Sequence, residues 1–178
     1  HSLRERKYLE DALVVITSDH GEALGEHGRY SHVNGVREPS IRIPCILLSF
    51  GHQPPALAVS AAASQVDIAP TVLATLDMPI PSVWQGQPLH GARQSRITYV
   101  QQNYETGIVD ARDSPAVWKY WVEADTGKEF AFDLNKDPVE MDNLLEKKGR
   151  PEFQVPPDRR LREWRLLTRK IRSVAGGQ

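Results

Sequence analysis

The stretch from Leu13 to His32, LVVITSDHGEALGEHGRYSH, sets a β-branched apolar run against a polar loop punctuated by Gly21, Gly25 and Gly28. Leu13 to Thr17 has the length and residue types of a buried strand. The loop behind it carries Asp19, His20, Glu22, Glu26, His27 and His32. Open α/β sheets place ligands at the carboxyl ends of their strands, so position favours function here. A carboxylate and a neutral imidazole both suit divalent metals, and a loop leaving a strand can turn neighbouring side chains toward one ion. Asp19 and His20 are therefore the candidate metal ligands. Two donors do not complete a site, because zinc takes about four ligands and calcium about six or more oxygens. A capped polar turn fits the same residues on composition alone. Glu22 and Glu26, one helical turn apart, read as a solvated face. His27 reads as a structural hydrogen-bonder as readily as a substrate contact.

Residues 1–11, HSLRERKYLED, are polar with Leu3, Tyr8 and Leu9 at roughly helical spacing, which predicts a helix feeding the strand. Ile41-Arg42-Ile43-Pro44 leads into a second buried strand from Cys45 to Phe50, whose apolar neighbours bury the Cys45 thiol. Two such strands joined by long polar segments indicate an α/β sheet. SQVDIAPTVLATLDMP predicts a helix stopping before Pro79. Asp67 caps it, Pro70 sits in its first turn, Thr71 packs, and Ile68, Val72, Leu73 and Leu76 repeat with helical period. Residues 77–94 form a loop.

From Arg96 the pattern changes to ITYVQQ, GIVDAR, AVWKYWVEA and EFAFDL, separated by turn-prone NYET, DSP and DTGK, which predicts a small antiparallel sheet. Large residues fall on both faces of Val117 to Val122, as in a strand beneath a helix. Trp118, Tyr120 and Trp121 read as core rather than cleft lining. NKDPVEMDNLL supplies a turn and a short helix, RPEFQVPP a connector, and PDRRLREWRLLTRKIRSV a final helix. Its apolar stripe is Leu161, Trp164, Leu167 (or Thr168), Ile171 and Val174, docked on the sheet with the basic face solvated. The organisation expected is residues 1–95 in an α/β portion and 96–178 in the small sheet with its terminal helix.

The 178 residues carry 22 basic and 23 acidic side chains, a net charge of -1, with 40% hydrophobic and 25% charged residues. That composition is globular, and it offers no global field to attract nucleic acid or an anionic membrane. One cysteine excludes an internal disulfide and leaves the redox compartment open. No run is long enough to span a bilayer, and no signal peptide is visible. The chain starts at His1 inside the expected helix, which predicts a continuation ahead of it and leaves localisation unassigned.

TSDHGEALGEHGRYSH, followed by REPSIRIPCILL and SQVDIAPTVLATLDMPIP, resembles the carboxyl half of the sulfatase and alkaline-phosphatase-like superfamily. WKYWVEADTGKEFAFDLNKDPVEMDNLL is similar to the late segment of sulfatases, a strand followed by YDL-x-x-DP-x-E-x-x-NL. Order and spacing match from Leu13 to Leu145. The resemblance implies an alkaline-phosphatase-like α/β/α sheet portion, a smaller carboxyl-terminal antiparallel sheet and a terminal helix. It also implies hydrolysis or transfer at a sulfate or phosphate ester substrate. The Asp and His of the family's DHG motif are metal ligands, which carries over to Asp19 and His20. The divalent ion is calcium first, with magnesium, manganese and zinc as the other choices. Thirteen residues beyond Asp19, where many arylsulfatases hold Lys and other members His, this chain has His32. The resemblance makes His32 the catalytic group that hydrogen-bonds the sulfuryl or phosphoryl oxygens or protonates the leaving group. Arg37, Glu38 and Arg42, at the family's Y-E-E-x-x-R-V-P stretch, read as structural hydrogen-bonders. Family members are often periplasmic, secreted or membrane-anchored.

The family's nucleophile, a Thr, a Ser or a formylglycine made within C/S-x-P-x-R, lies in the amino-terminal half. Cys45 is followed by Ile46-Leu47-Leu48-Ser49 and does not match that motif. The chain therefore reads as the carboxyl-terminal portion of a metal-dependent sulfatase-like hydrolase, inactive by itself, with the missing amino-terminal half of the same enzyme as its partner. The alternatives are a phosphoethanolamine or phosphoglycerol transferase of the superfamily, and a non-catalytic remnant or interaction module. The FDLNKDPVEMDNLL segment leans toward sulfatase because the transferases generally lack it. If the missing half covers part of the sheet, the isolated chain exposes apolar surface and is expected to form a homodimer.

Overall fold

The computed structural model describes residues 2–31, 35–51, 62–91, 96–112, 115–147 and 156–175. Along the chain lie β1 (Leu13–Thr17), β2 (Ala23–Leu24), β3 (Tyr30–Ser31), α1 (Glu38–Ile41), β4 (Cys45–Ser49) and α2 (Ile68–Thr75). They are followed by β5 (Ile97–Gln102), β6 (Glu105–Asp110), β7 (Trp118–Glu123), β8 (Glu129–Asp133) and α3 (Asp158–Ala175). They fall into two compact units that are not contiguous in sequence. The first is His1–Asp19 with Ile43–Gln94, the second His20–Arg42 with Ser95–Gln178.

In the first unit β1 pairs antiparallel with β4, from Leu13 opposite Ser49 to Thr17 opposite Cys45. This ribbon is not the buried pair expected: Ile16 and Ile46 are each 48% exposed, and Cys45 is exposed rather than buried. Apolar neighbours in sequence do not bury a thiol when the strand has one paired neighbour and an open face. Residues 3–11 form successive turns instead of a helix. Lys7 and Asp11 adopt left-handed backbone (φ 62 and 63), and Leu3 and Tyr8 point to solvent, so no packed apolar face sustains a short helix.

α2 forms where expected, with a more elaborate cap. Ser64 is the capping residue, its backbone N–H donates to Asp67 Oδ2 (3.0 Å), and a 3-10 turn, Gln65–Asp67, leads into the helix. Asp67 is fully buried and also accepts the Gln87 N–H (2.9 Å). Thr71 Oγ1 donates to the Asp67 carbonyl (2.6 Å) and accepts the Leu89 N–H (2.9 Å), so the helix binds the loop that follows it. Asp77 in left-handed backbone (φ 52) ends α2, with Met78 N–H donating to the Leu73 carbonyl (2.9 Å) ahead of Pro79.

The second unit contains the expected antiparallel sheet, in the order β5-β6-β7-β8. Strand alternation sends Trp118, Tyr120, Ile108 and Ala131 to one face, where they pack with Leu144 and with Leu161 and Trp164 of α3. Trp121, Phe130 and Phe132 take the other face, stacked 4.8 and 5.0 Å apart by ring centroid and covered by Val36 and Ile41. The reading of the aromatic residues as core is confirmed. The stripe of α3 holds through Thr168 and fades at Val174, which is 72% exposed. NKDPVEMDNLL makes turns and no helix. The Asp137 carboxylate accepts the N–H groups of Met141 (3.0 Å) and Asp142 (2.8 Å), and Glu140 has φ 57, outside helical geometry. Asn143 then covers the edge of β8, accepting the Ala131 N–H (3.1 Å) and donating to the Glu129 carbonyl (3.1 Å).

Candidate functional site

The DHG tract leaves the carboxyl end of β1. The carbonyls of Ser18 and Asp19 accept hydrogen bonds from Gln65 Nε2 (3.0 and 2.8 Å), which ties this end of the strand to the start of α2. The Asp19 and His20 side chains are both exposed, and His20 Nδ1 lies 2.9 Å from the Gly21 carbonyl oxygen. Gly21 N–H donates to the Ser40 carbonyl (2.8 Å). A Cβ at Gly21 would overlap the Pro39 carbonyl oxygen, so glycine is the residue that lets the loop pass α1.

Beyond it, β2 and β3 form a short hairpin, Ala23 opposite Ser31 and Leu24 opposite Tyr30. A 3-10 turn at Glu26–Gly28 closes it, with His27 in left-handed backbone (φ 55). Glu26 Oε2 accepts the Leu24 N–H (2.6 Å), and backbone hydrogen bonds from Glu26 itself and from Leu24 hold its carboxyl below the usual carboxylate range. Glu26 and His27 are turn-makers here, and Glu22 is exposed. His32 lies outside the described residues.

Asp19 and His20 are thus consecutive at a strand end. Among the described residues no group of three or more His, Cys, Asp or Glu side chains gathers to hold an ion. The two are suitable donors in kind, but as a set they do not fit a complete divalent-metal site, which needs about four or more ligands.

Two polar clusters in the small sheet were not singled out by sequence. Asp110, buried on β6, accepts from Arg112 Nη2 (2.7 Å), Trp164 Nε1 (2.9 Å) and Arg160 Nη1 (3.3 Å), and Arg112 also pairs with Glu163. Burial pushes the Asp110 carboxyl up, but the hydrogen bonds from Arg112 and Trp164 outweigh it and hold the group below the usual range. A cavity of about 540 Å³ lies alongside, lined by Arg112, Pro157, Arg159, Arg160 and Glu163. Asp110 and Glu163 answer the charge of Arg112 and Arg160 there, which makes the cluster a strut between sheet and helix. On the opposite face Lys119, fully buried, lies 2.9 Å from Glu38 Oε1 and 2.6 Å from Glu140 Oε1. Glu140 Oε2 accepts the Glu38 N–H (2.9 Å). The signal in sequence is a lysine amid the aromatic residues of WKYW, a position that demands an acidic partner.

Arg37 lies over the same face, 5.1 Å from the Trp121 ring and 5.4 Å from that of Phe130 by centroid, and burial pushes its guanidinium down. The structural hydrogen bonding expected of Glu38 is confirmed, whereas Arg37 contacts the rings and its buried Nε makes no hydrogen bond among the described residues.

Residues 1–78 match the family model named Sulfatase. Arylsulfatase K of Bos taurus is 28% identical over 189 residues, covering 90% of this chain and 32% of its own. Choline-sulfatase of Rhizobium meliloti (strain 1021) is 30% identical over 164 residues, covering 86% of this chain and 31% of its own. A solved structure of BT4656 in complex with its substrate D-glucosamine-2-N,6-O-disulfate superposes with a TM-score of 0.62 at 24% identity, over 96% of this chain and 36% of that one. With the other sulfatase structures it resembles, this defines an α/β fold of the alkaline-phosphatase-like class. These matches support membership of the sulfatase family. It spans about a third of the length of the curated relatives it matches. Sulfatases generally use a divalent metal. No helix among the described residues is long and apolar enough to cross a membrane.

Proposed function

We propose that this chain is the carboxyl-terminal portion of a metal-dependent sulfatase that hydrolyses sulfate esters. The observation that carries the reading is Asp19-His20-Gly21 at the carboxyl end of β1, inside the part of the chain matched by the Sulfatase model. In this reading Asp19 and His20 supply two ligands of a divalent cation, calcium in the first instance. The remaining ligands and the nucleophile come from a segment outside the chain. The ion supplies charge neutralisation at the ester when bound. His32 hydrogen-bonds the sulfuryl oxygens or gives a proton to the leaving oxygen. The arylsulfatase and choline-sulfatase relatives favour sulfate over phosphate as the ester. Two copies of the isolated chain pair through the exposed ribbon of the first unit.

The test is hydrolysis of an aryl sulfate and the matching aryl phosphate, by the longer protein that this reading requires and by the 178-residue chain alone. Sulfate is turned over by the longer protein, and neither ester by the chain alone. Preference for phosphate overturns the sulfatase reading, and turnover by the chain alone overturns its incompleteness. Calorimetric titration of the longer protein with calcium, beside Asp19→Ala, reads the ligand directly. Equal affinity removes Asp19 from the site.

A further inference from the structure

We propose that Glu140 is a positioning residue for the loop that begins at His20, acting through α1; its relevance to ester cleavage rests on the reading of that loop given above. The path is a series of contacts within the second unit. The Asp137 carboxylate, by accepting the Met141 and Asp142 N–H groups, shapes the turn that presents Glu140. Glu140 stands in left-handed backbone (φ 57), an unfavourable conformation for a side chain of its size, and is 2% exposed. Its two carboxylate oxygens divide their work. Oε1 lies 2.6 Å from the Lys119 ammonium, and Oε2 accepts the N–H of Glu38, the first residue of α1. The Glu38 side chain returns to Lys119 at 2.9 Å, so one buried ammonium joins α1, the sheet and the 137–142 turn.

α1 is only Glu38–Ile41 and cannot hold a position by its own hydrogen bonds. Its far side carries the Ser40 carbonyl that accepts the Gly21 N–H, next to the Pro39 carbonyl against which Gly21 is closely packed. Gly21 follows His20 directly. The His20 backbone is therefore anchored on its Gly21 side by α1, and α1 is held on the sheet by Glu140 and Lys119. A second anchor fixes the approach to α1: Glu105 Oε2 accepts the Val36 N–H (2.8 Å), and Gly35 (φ 96) leaves room for that carboxylate. The acidic residue of the DPVE tract and the glycine of the DHG tract, more than a hundred residues apart, belong to one mechanical path.

Amide hydrogen exchange of the chain tests this without substrate, so its result stands whether or not the chain takes part in sulfate-ester hydrolysis. In Glu140→Ala the amides of Gly21, Glu38 and Arg42 exchange about tenfold faster, the scale of a lost hydrogen bond to a charged group, while Ile108 and Tyr120 in the sheet keep their rates. Glu140→Gln, which retains an acceptor for the Glu38 N–H, gives a smaller acceleration and serves where the alanine variant does not fold. Glu129→Gln, which weakens the ion pair with Arg165 elsewhere in the sheet, leaves Gly21 at its original rate. Unchanged exchange at Gly21 and Glu38 in both Glu140 variants overturns the proposal. So does acceleration spread evenly over the unit, or an equal acceleration at Gly21 in Glu129→Gln.

Discussion

The β1–β4 ribbon and the β5–β8 sheet are both antiparallel and both rich in apolar residues, yet among the described residues only the second has a core. Trp121, Trp164 and Tyr120 are at most 1% exposed, whereas Ile16, Ile46 and Leu48 are 40% or more exposed. The difference lies in what each sheet is given to pack against. The larger sheet is covered on one face by α3 and on the other by the 35–41 segment, and both faces read as apolar in WKYWV. The ribbon pairs two strands and no more among the described residues. A two-stranded ribbon is marginal in water unless something covers it. Apolar sequence alone thus does not separate a strand with a core from a strand awaiting one.

Trp164→Ala carries the largest expected effect. The indole is fully buried, packs 5.8 Å from Tyr120 and 6.3 Å from Trp118 by centroid, and donates to Asp110. Its removal costs about 3–5 kcal/mol in urea unfolding of the second unit. A cost below about 1 kcal/mol would show that the small sheet has no more core than the ribbon.

Asp110→Asn comes next, at about 1–3 kcal/mol at neutral pH, because it takes the charge from an acceptor shared by Arg112, Arg160 and Trp164. It also alters the pH dependence. Asp110 and Glu129 both have their folded carboxyl groups held below the usual range, Glu129 chiefly by the hydrogen bond from Arg165. Above the unfolded-state value of about 4 this stabilisation is fully present. Below it the unfolded chain binds protons first, and stability falls until the folded groups protonate as well. Urea midpoints between pH 7 and pH 3 therefore drop for the parent chain and drop less for Asp110→Asn. Parallel curves would remove Asp110 from the acid response.

The four antiparallel strands were readable in sequence because each is rich in β-branched or aromatic residues and each connection has its own turn chemistry. The α/β class and the family were readable in the order of short motifs. What could not be read depends on contacts distant in sequence. Residues 3–11 have helical spacing but leave Leu3 and Tyr8 exposed, and NKDPVEMDNLL has helix formers whose backbone is taken by the Asp137 carboxylate. Cys45 has buried-looking neighbours on an open ribbon. At the candidate site, Asp19 and His20 stood out by residue type and by their place after a strand. The support for that loop did not stand out, because Lys119, Glu38 and Glu140 become partners only when three separate segments meet.

Within the first unit, α2 is the counter-example to the ribbon, and Thr71→Val measures it. Thr71 is 1% exposed, and its hydroxyl joins the Asp67 carbonyl to the Leu89 N–H, so valine keeps the shape and strands both groups. The expected loss is about 1–2 kcal/mol, read as faster exchange at the Leu89 amide.

Ile46→Thr has the smallest expected effect on the fold. It keeps the β-branched shape on a residue 48% exposed, and the stability change stays within about 0.5 kcal/mol. Register places Ile46 opposite Ile16 and Leu48 opposite Val14, so these four share one face of the ribbon. If two isolated chains pair through that face, the substitution weakens association in sedimentation equilibrium while leaving the urea midpoint of the dilute monomer unchanged. Association that persists undiminished places the contact elsewhere. A large loss of monomer stability would mean that Ile46 is covered within its own chain, and the contrast between the two sheets would then lie in their partners' identity and not in their burial.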